Sequence, residues 1–279
     1  MRHADVLMIT HERPQYVRLS LRRLLDGCPE GSRIWVWHNG THAETLDAVL
    51  ELRDHPRFHR FHHSPDNVGL RTPTNWLWRE AEGAYLGKVD DDSLMEPGWI
   101  EALMAGHARW RGLGALGSWR FMDEDFRPRL AARKLQRNAG VTILRNHWVQ
   151  GSGYLVPRHV VRDVGELRER ESFYWWCLRV ARAGYLNGWL YPFVHEEHMD
   201  DPRSPHTIFV DDEAFMARRP LSAKATGVTT VAGWLEQTRR DAAHVQRASL
   251  RMSTYYGWRL TARKARMRLQ RTVTGRATW

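Results

Sequence analysis

The sequence predicts an α/β fold, a mostly parallel sheet flanked by helices, with a C-terminal helical extension. Three observations carry this: short apolar runs alternate with helix-spaced apolar residues, polar clusters close those runs, and the composition turns basic after Asp241. Val6-Leu7-Met8-Ile9 is an unbroken apolar run, the mark of a strand buried on both faces. Val17, Leu21, Leu24 and Leu25 then recur at helix spacing. Ile34-Trp35-Val36-Trp37 is a second strand, and Thr41 with Glu44 three residues on forms a capping box for a helix whose core face is Leu46, Val49 and Leu50. Phe58 to His62 is a weaker strand and Thr74 to Glu82 a helix. Tyr85 to Val89 is a fourth strand that runs straight into Asp90, Asp91 and Asp92. Further on, Trp148 to Val156 reads as a strand bearing Gly151-Ser152-Gly153, Trp175 to Ala183 as a helix closed by Gly184, and Leu190 to Val194 as a short strand weakened by Pro192. Val231 onward reads as helix into the basic tail, with a break at Gly257.

The 279 residues, 42% hydrophobic and 27% charged, suffice to bury a core, which argues against a disordered chain. Cys28 and Cys177 fit no zinc or redox spacing, so a reducing, cytoplasmic compartment is expected. Asp5 interrupts the first apolar run, and no stretch approaches the roughly 18 apolar residues of a membrane span. The formal charge of +10 is concentrated at one end: after Asp241 there is no acidic residue and there are nine basic ones. Tyr255, Tyr256 and Trp258 accompany them, a combination that suits peripheral contact with anionic lipid at the inner membrane face; a solvated helix or a homodimer contact accounts for it equally.

In an open parallel sheet, ligands gather beyond the carboxyl ends of the strands. Three polar clusters sit there: Thr10 to Pro14, His38 to Thr41, and Asp90 to Asp92. Asp90 and Asp92, two apart after a buried strand, have the spacing to share one hard divalent cation, Mn²⁺ or Mg²⁺, while a diphosphate fills the remaining positions. Lys88, inside the strand, needs a carboxylate partner. His195 and His198 are three apart, which excludes the helical zinc-protease motif.

The ordered set Val6 to Pro14, Asn39-Gly40-Thr41, Asn67-Val68-Gly69, Asn75, Gly87 to Asp92 and Pro97-Gly98-Trp99 resembles the family 2 glycosyltransferases of GT-A fold, a Rossmann-like architecture. The resemblance implies an inverting transfer of a sugar from a nucleotide diphosphate sugar to a hydroxyl acceptor, which is a sugar, a lipid-linked sugar or a small molecule. It also implies a place in cell-surface polysaccharide, glycolipid or other glycoconjugate synthesis. It divides the chain into a GT-A domain at 1–228, with a nucleotide-sugar half (1–100) and an acceptor half (101–228), and a basic extension at 229–279.

Carried over residue by residue, the resemblance puts Thr10, Glu12, Arg13, His38, Asn39, Asn67, Gly69, Asp90 and Asp91 beside the nucleotide sugar. His38 stands where the family usually has an aspartate. Asp90, Asp92 and His198 would hold the metal, and Gln150, Gly151, Ser152, Trp175 and Trp176 would face the acceptor. The helix Cys177 to Tyr185 fits the family pattern, yet the acidic pair that precedes it falls on Ser172 and Phe173, leaving Glu171 first, Glu169 as a poorer choice, and Glu196 and Glu197 in reserve as the catalytic base. Arg203 and His206 are candidates to reach the phosphates. Two alternatives stand beside this reading. One is a nucleotidyltransferase of related fold, although Thr10 to Pro14 has no glycine for a phosphate loop; the other is a nucleic-acid-binding protein using its tail, which leaves the aspartates unexplained.

Overall fold

The computed structural model describes residues 3–257, 260 and 261. Its elements run β1 (Ala4–Thr10), α1 (Pro14–Gly27), β2 (Arg33–Asn39), α2 (Ala43–Leu50), β3 (Phe58–Ser64), α3 (Arg71–Glu80), β4 (Tyr85–Asp90), β5 (Ser93–Met95), α4 (Trp99–Arg109) and β6 (Leu113–Gly117). They continue with α5 (Pro128–Ala131), β7 (Leu135–Asn138), β8 (Val141–Asn146), β9 (Tyr154–Pro157), α6 (Arg158–Val164), α7 (Phe173–Arg182), β10 (Leu186–Tyr191), β11 (Glu196–His198), α8 (Asp212–Ala217), α9 (Leu221–Thr226) and α10 (Val231–Arg247).

The chain divides into two compact units, 1–120 with 134–197 and 121–133 with 198–279. In the first, the described strands form a sheet of order β3-β2-β1-β4-β9-β6-β10-β8-β7, with β5 and β11 paired apart from it. β3, β2, β1 and β4 are mutually parallel, as the alternation of strand and helix predicts. β9 then enters antiparallel between β4 and β6. Every residue of β1 is buried, so both faces of that strand are covered. Val17, Leu21, Leu24 and Leu25 of α1 pack against Val6, Met8 and Val36, each side chain contributing ~1.5–3 kcal/mol of burial. β4 and β9 approach closely because Gly87 has no side chain; a Cβ there would meet Tyr154 O at 2.7 Å.

Several elements differ from the sequence reading, each for a local reason. His42, not Thr41, caps α2, its ring Nδ1 accepting from the Thr45 N–H at 3.3 Å. The buried face of α2 is accordingly Thr45, Ala48 and Val49, and Leu50 is exposed. The segment Trp148 to Val156 is extended only from Tyr154, because Gly153 takes a left-handed φ of 59° that ends a strand. β10 begins earlier than Leu190 and stops at Tyr191, before Pro192, which has no N–H for the ladder.

The second unit has a core of its own: Phe209, Phe215 and Ala223 pack with Trp234 of α10. Residues 198–228 therefore share a core with α10, and the divisions at 100 and 228 do not coincide with the observed units. Gln246 ties α10 to the inserted segment, receiving the Arg127 N–H at 2.6 Å and donating to Asp125 O at 2.8 Å. α10 ends at Arg247, with Ala248 extended, so the helix does not continue into the tail. Most of the basic tail, from Arg263 on, and the aromatic Trp258 lie outside the described residues. No described helix is long and apolar enough to cross a membrane.

Candidate active site

Parallel pairing brings the three polar clusters to one rim. Thr10 lies opposite His38, and Ile9 opposite Asp90. Hydrogen bonds then tie the loops together: Thr10 Oγ1 meets His38 Nδ1 at 2.9 Å, and the His11 N–H donates to Asp91 Oδ2 at 3.1 Å. His11 Nδ1 lies 2.9 Å from the Asn39 carbonyl, which only accepts, so the proton sits on that nitrogen. Glu12 and Arg13 hold φ of 45° and 65°, a left-handed pair that costs ~1–3 kcal/mol per residue. This tight bend at the head of α1 accompanies an Arg13 guanidinium that reaches both Asp91 Oδ1 at 3.0 Å and Asp92 Oδ2 at 3.2 Å.

The three aspartates have different surroundings. Asp91 is held from several sides, by His11 and Arg13 at its carboxylate and by the Ser20 hydroxyl, which donates to its carbonyl at 2.9 Å. Asp90 pairs with Lys88, the partner that a buried ammonium requires, and its own N–H donates to Ser152 Oγ at 2.9 Å. The Asp90 side chain is 35% exposed and that of Asp92 14%, so these two carboxylates open to solvent. Burial pushes the Asp91 carboxyl up to about 7 against the pull of Arg13, and raises Asp90 against Lys88. Three carboxylates thus stand together, beside Lys88 and Arg13, at a partly buried rim. Such a set of hard oxygen donors fits a divalent cation.

Around this centre the structure gives several predicted residues other tasks. His38 is fully buried; burial, then the neighbouring His63, His11 and His42, lowers its pKa to about 4, so it is neutral near pH 7. Asn39 anchors a loop, accepting from Trp37 Nε1 at 3.0 Å and the Val68 N–H at 3.3 Å while donating to Gly69 O at 3.2 Å. Asn67 caps the same turn through the Gly69 N–H at 3.0 Å. Gln150 donates to Ser118 O and accepts from Trp189 Nε1, which leaves little of its amide for an acceptor. Gly151 has open space around it.

Trp176 is a correction: it is fully buried, stacks on Phe173 and donates to Gly165 O at 2.7 Å, so its face is closed to a sugar. Trp175 is half-buried. Glu171 is a second correction. Arg179 grips it from Nε at 3.1 Å and Nη2 at 2.7 Å, and the Arg168 N–H adds a third bond at 2.9 Å, so the carboxylate is tied into an arginine clamp. Glu197, on β11, is half-buried.

In the second unit, a ring nitrogen of His198 and a carboxylate oxygen of Asp200 lie within 4.8 Å of each other. Arg203 is not directed to a phosphate. Burial alone would lower its pKa, but bonds to Asp201 at 2.7 Å and Asp125 at 2.6 Å hold it well above the usual range.

Sequence reasoning missed His11, whose contribution is a backbone N–H, and the serines Ser20, Ser93 and Ser118. Nothing in their spacing marks them, because strands distant in sequence bring them together.

Residues 5–157 match the sequence profile of Glycosyl transferase family 2. No curated protein matches the sequence. Among solved structures, the chain is similar to the mannosyltransferase PcManGT from Pyrobaculum calidifontis in complex with GDP-Man and Mn²⁺, at TM-score 0.58 and 16% identity over 95% of this chain and 80% of that one. It is similar to S. aureus TarS 1-349 in complex with UDP-GlcNAc, at TM-score 0.54 and 14% identity over 91% and 75%. GalNAc-T7 with UDP, GalNAc and Mn²⁺ aligns at TM-score 0.55 and 12% identity over 71% of this chain and 44% of that one.

Proposed function

The chain belongs to glycosyl transferase family 2, and from that premise we propose that it is a cation-dependent, inverting transferase moving a sugar from a nucleoside diphosphate to a hydroxyl acceptor. One observation carries the proposal: three carboxylates stand side by side at the carboxyl rim of the parallel strands, next to Lys88 and Arg13. The Mn²⁺ bound in two of the similar structures supports a divalent cation, Mn²⁺ or Mg²⁺.

Asp90 and Asp92 are the residues proposed to hold it. When bound, the cation supplies positive charge to a departing diphosphate. The turn from His11 to Arg13 is the proposed nucleotide side, and Gly151 and Trp175 the proposed acceptor side. The acceptor oxygen forms a bond to the anomeric carbon as the bond from that carbon to the diphosphate oxygen breaks. The electron pair leaves with the nucleoside diphosphate, and the hydroxyl proton passes to a carboxylate. Glu197 is proposed for that proton, since Arg179 and Arg168 occupy Glu171. A single displacement inverts the anomeric centre. The proposed setting is glycoconjugate or polysaccharide synthesis on the cytoplasmic side, with the basic tail meeting an anionic, lipid-bearing surface.

A panel of GDP-, UDP- and TDP-sugars, each with Mn²⁺, Mg²⁺ or EDTA, tests this by thermal shift and by release of nucleoside diphosphate. The expected result is stabilisation by one nucleotide class and release that EDTA abolishes. Equal stabilisation by no donor, with no release under any condition, would overturn the proposal.

A further inference from the structure

At the end of β4 remote from the aspartates, residues of α3, α4 and α6 line a cavity of about 800 Å³ that the proposed chemistry does not use. Tyr85 opens β4 and faces Pro157 across the ladder with β9, and both line this cavity. Asp90 closes the same strand, ~16 Å away at about 3.3 Å per residue, so the cavity is separate from the rim. Its volume falls within the ~300–1,000 Å³ of small-molecule sites.

The wall carries charge of one sign. Arg111, Arg158 and Arg162 line it, and Glu166 is the one carboxylate in the lining. Glu166 is neutralised from outside, because Arg79 holds both its oxygens through Nε at 2.9 Å and Nη2 at 2.6 Å. The three lining arginines have no such match. Arg158 donates to the carbonyls of Gly83, at 2.9 Å, and Ala81, which fix its guanidinium without cancelling its charge. Arg111 makes no ion pair among the described residues. Arg162 stands 3.6 Å from Asp163, beyond hydrogen-bond length.

Trp78, Tyr85, Pro157 and Val161 add an apolar face. Two buried polar atoms of lining residues lack partners among the described residues, the donor Trp78 Nε1 and His107 Nδ1. His107 Nε2 lies 3.1 Å from the Leu155 carbonyl, which only accepts, so the ring proton sits on Nε2 and Nδ1 is an acceptor. Buried polar groups are bonded as a rule, and an unmet donor and acceptor in one wall favour a ligand body that can do both.

We propose that this cavity is a second binding site, for a small phosphate monoester: its phosphate meets the three arginines, and a sugar or nucleoside body covers the apolar face. The guanidinium fork matches phosphate oxygens, and a dianion balances more of the surplus charge than a monocarboxylate does. The site stands whether or not the rim binds a cation.

The test uses the full-length wild type and its Asp92→Ala variant, both in EDTA to remove cation-dependent binding at the rim. Inorganic phosphate, glucose 1-phosphate and uridine monophosphate are titrated calorimetrically, and amide hydrogen exchange is followed at 107–111 and 158–162. The expected result is saturable binding of at least one ester, ~10-fold tighter than inorganic phosphate because its body buries apolar surface, with slower exchange in those two segments. The two esters tell a sugar body from a nucleoside one. Arg111→Glu and Arg162→Glu, both at exposed positions, should each weaken that binding ~10-fold. No saturable binding, an ester held no tighter than inorganic phosphate, or slowed exchange confined to the Thr10 to Arg13 turn would overturn the proposal, as would folded R111E and R162E that bind like the parent. Should either variant misfold, the exchange pattern of the parent decides alone.

Discussion

Buried aspartates sit at both ends of the β1/β4 pair, and the two ends treat them differently. At the amino-terminal end, Asp5 receives the Arg33 Nε–H at 2.9 Å, the Trp35 Nε1–H at 3.0 Å, and the Gly83 and Glu82 N–H groups at 2.6 and 3.1 Å. Its carboxylate is saturated, and it joins β2 and the turn before β4 to β1. At the carboxyl end, Asp90, Asp91 and Asp92 share Lys88 and Arg13, and burial has raised two of them. A saturated buried carboxylate belongs to the architecture. A cluster of three neighbouring carboxylates that still opens to solvent is suited to receive a cation.

Substitutions at the two ends should therefore fail in opposite ways. Asp92→Ala is expected to lower turnover by ~1,000-fold or more while leaving urea denaturation near wild type, because it removes a donor for the cation and relieves a like charge. Asp5→Ala is expected to lose roughly 3 kcal/mol of stability, since it strands Arg33, the Trp35 Nε1–H and two backbone N–H groups, with turnover per folded molecule unchanged. Urea titration and initial rates on both variants check the pair. If Asp92→Ala destabilised as much as Asp5→Ala, the rim aspartates would be architecture too.

The two glutamates sharpen the same distinction on a smaller scale. Glu171 is clamped by Arg179 and the Arg168 N–H, whereas Glu197 lies half-buried on β11. Glu197→Gln is expected to lower kcat ~100-fold with little change in melting temperature. Glu171→Gln should do the reverse, lowering the melting temperature by a few degrees and keeping kcat within about threefold. Single-turnover rates and thermal melts on both variants separate the roles, and a large kcat loss in Glu171→Gln alone would reinstate it as the base.

The strand that ends in three aspartates was legible because Tyr85, Leu86 and Val89 mark it as buried and the aspartates follow directly, and parallel pairing obliges Thr10, His38 and Asp90 to share a rim. Lys88 was legible too, since an ammonium inside a buried strand must find a carboxylate. What escaped depended on conformation instead of composition. Glu171 resembles any surface glutamate until Arg179 is seen eight residues along the chain, turned back onto it. Trp176 and Trp175 are adjacent in sequence and differ only in which side of α7 meets the core. The antiparallel entry of β9 beside β4 has no local signal, because the segment before it is held by side-chain bonds from Gln150 and Ser152 and not by a ladder.

The smallest effect concerns protons. With the Asp91 carboxyl raised to about 7 and Asp90 raised as well, the folded chain binds more protons than the unfolded chain between the ordinary carboxylate range and pH 7. A cation that needs ionised carboxylates must displace those protons, so Mn²⁺ should bind more weakly at pH 6 than at pH 8, by up to about tenfold for one proton displaced. His38 pulls the other way: with its pKa lowered to about 4, the unfolded chain takes up the extra proton below the ordinary histidine value, and stability falls as pH drops through that region. Taking the difference between melts with and without Mn²⁺ at each pH cancels the His38 contribution and leaves that of the cluster. The Mn²⁺-induced rise in melting temperature is thus expected to be a few degrees at pH 8 and to shrink towards pH 6. An equal rise at both values would mean that the rim carboxylates are already ionised, and the contrast between the two ends of β1 would lose its electrostatic basis.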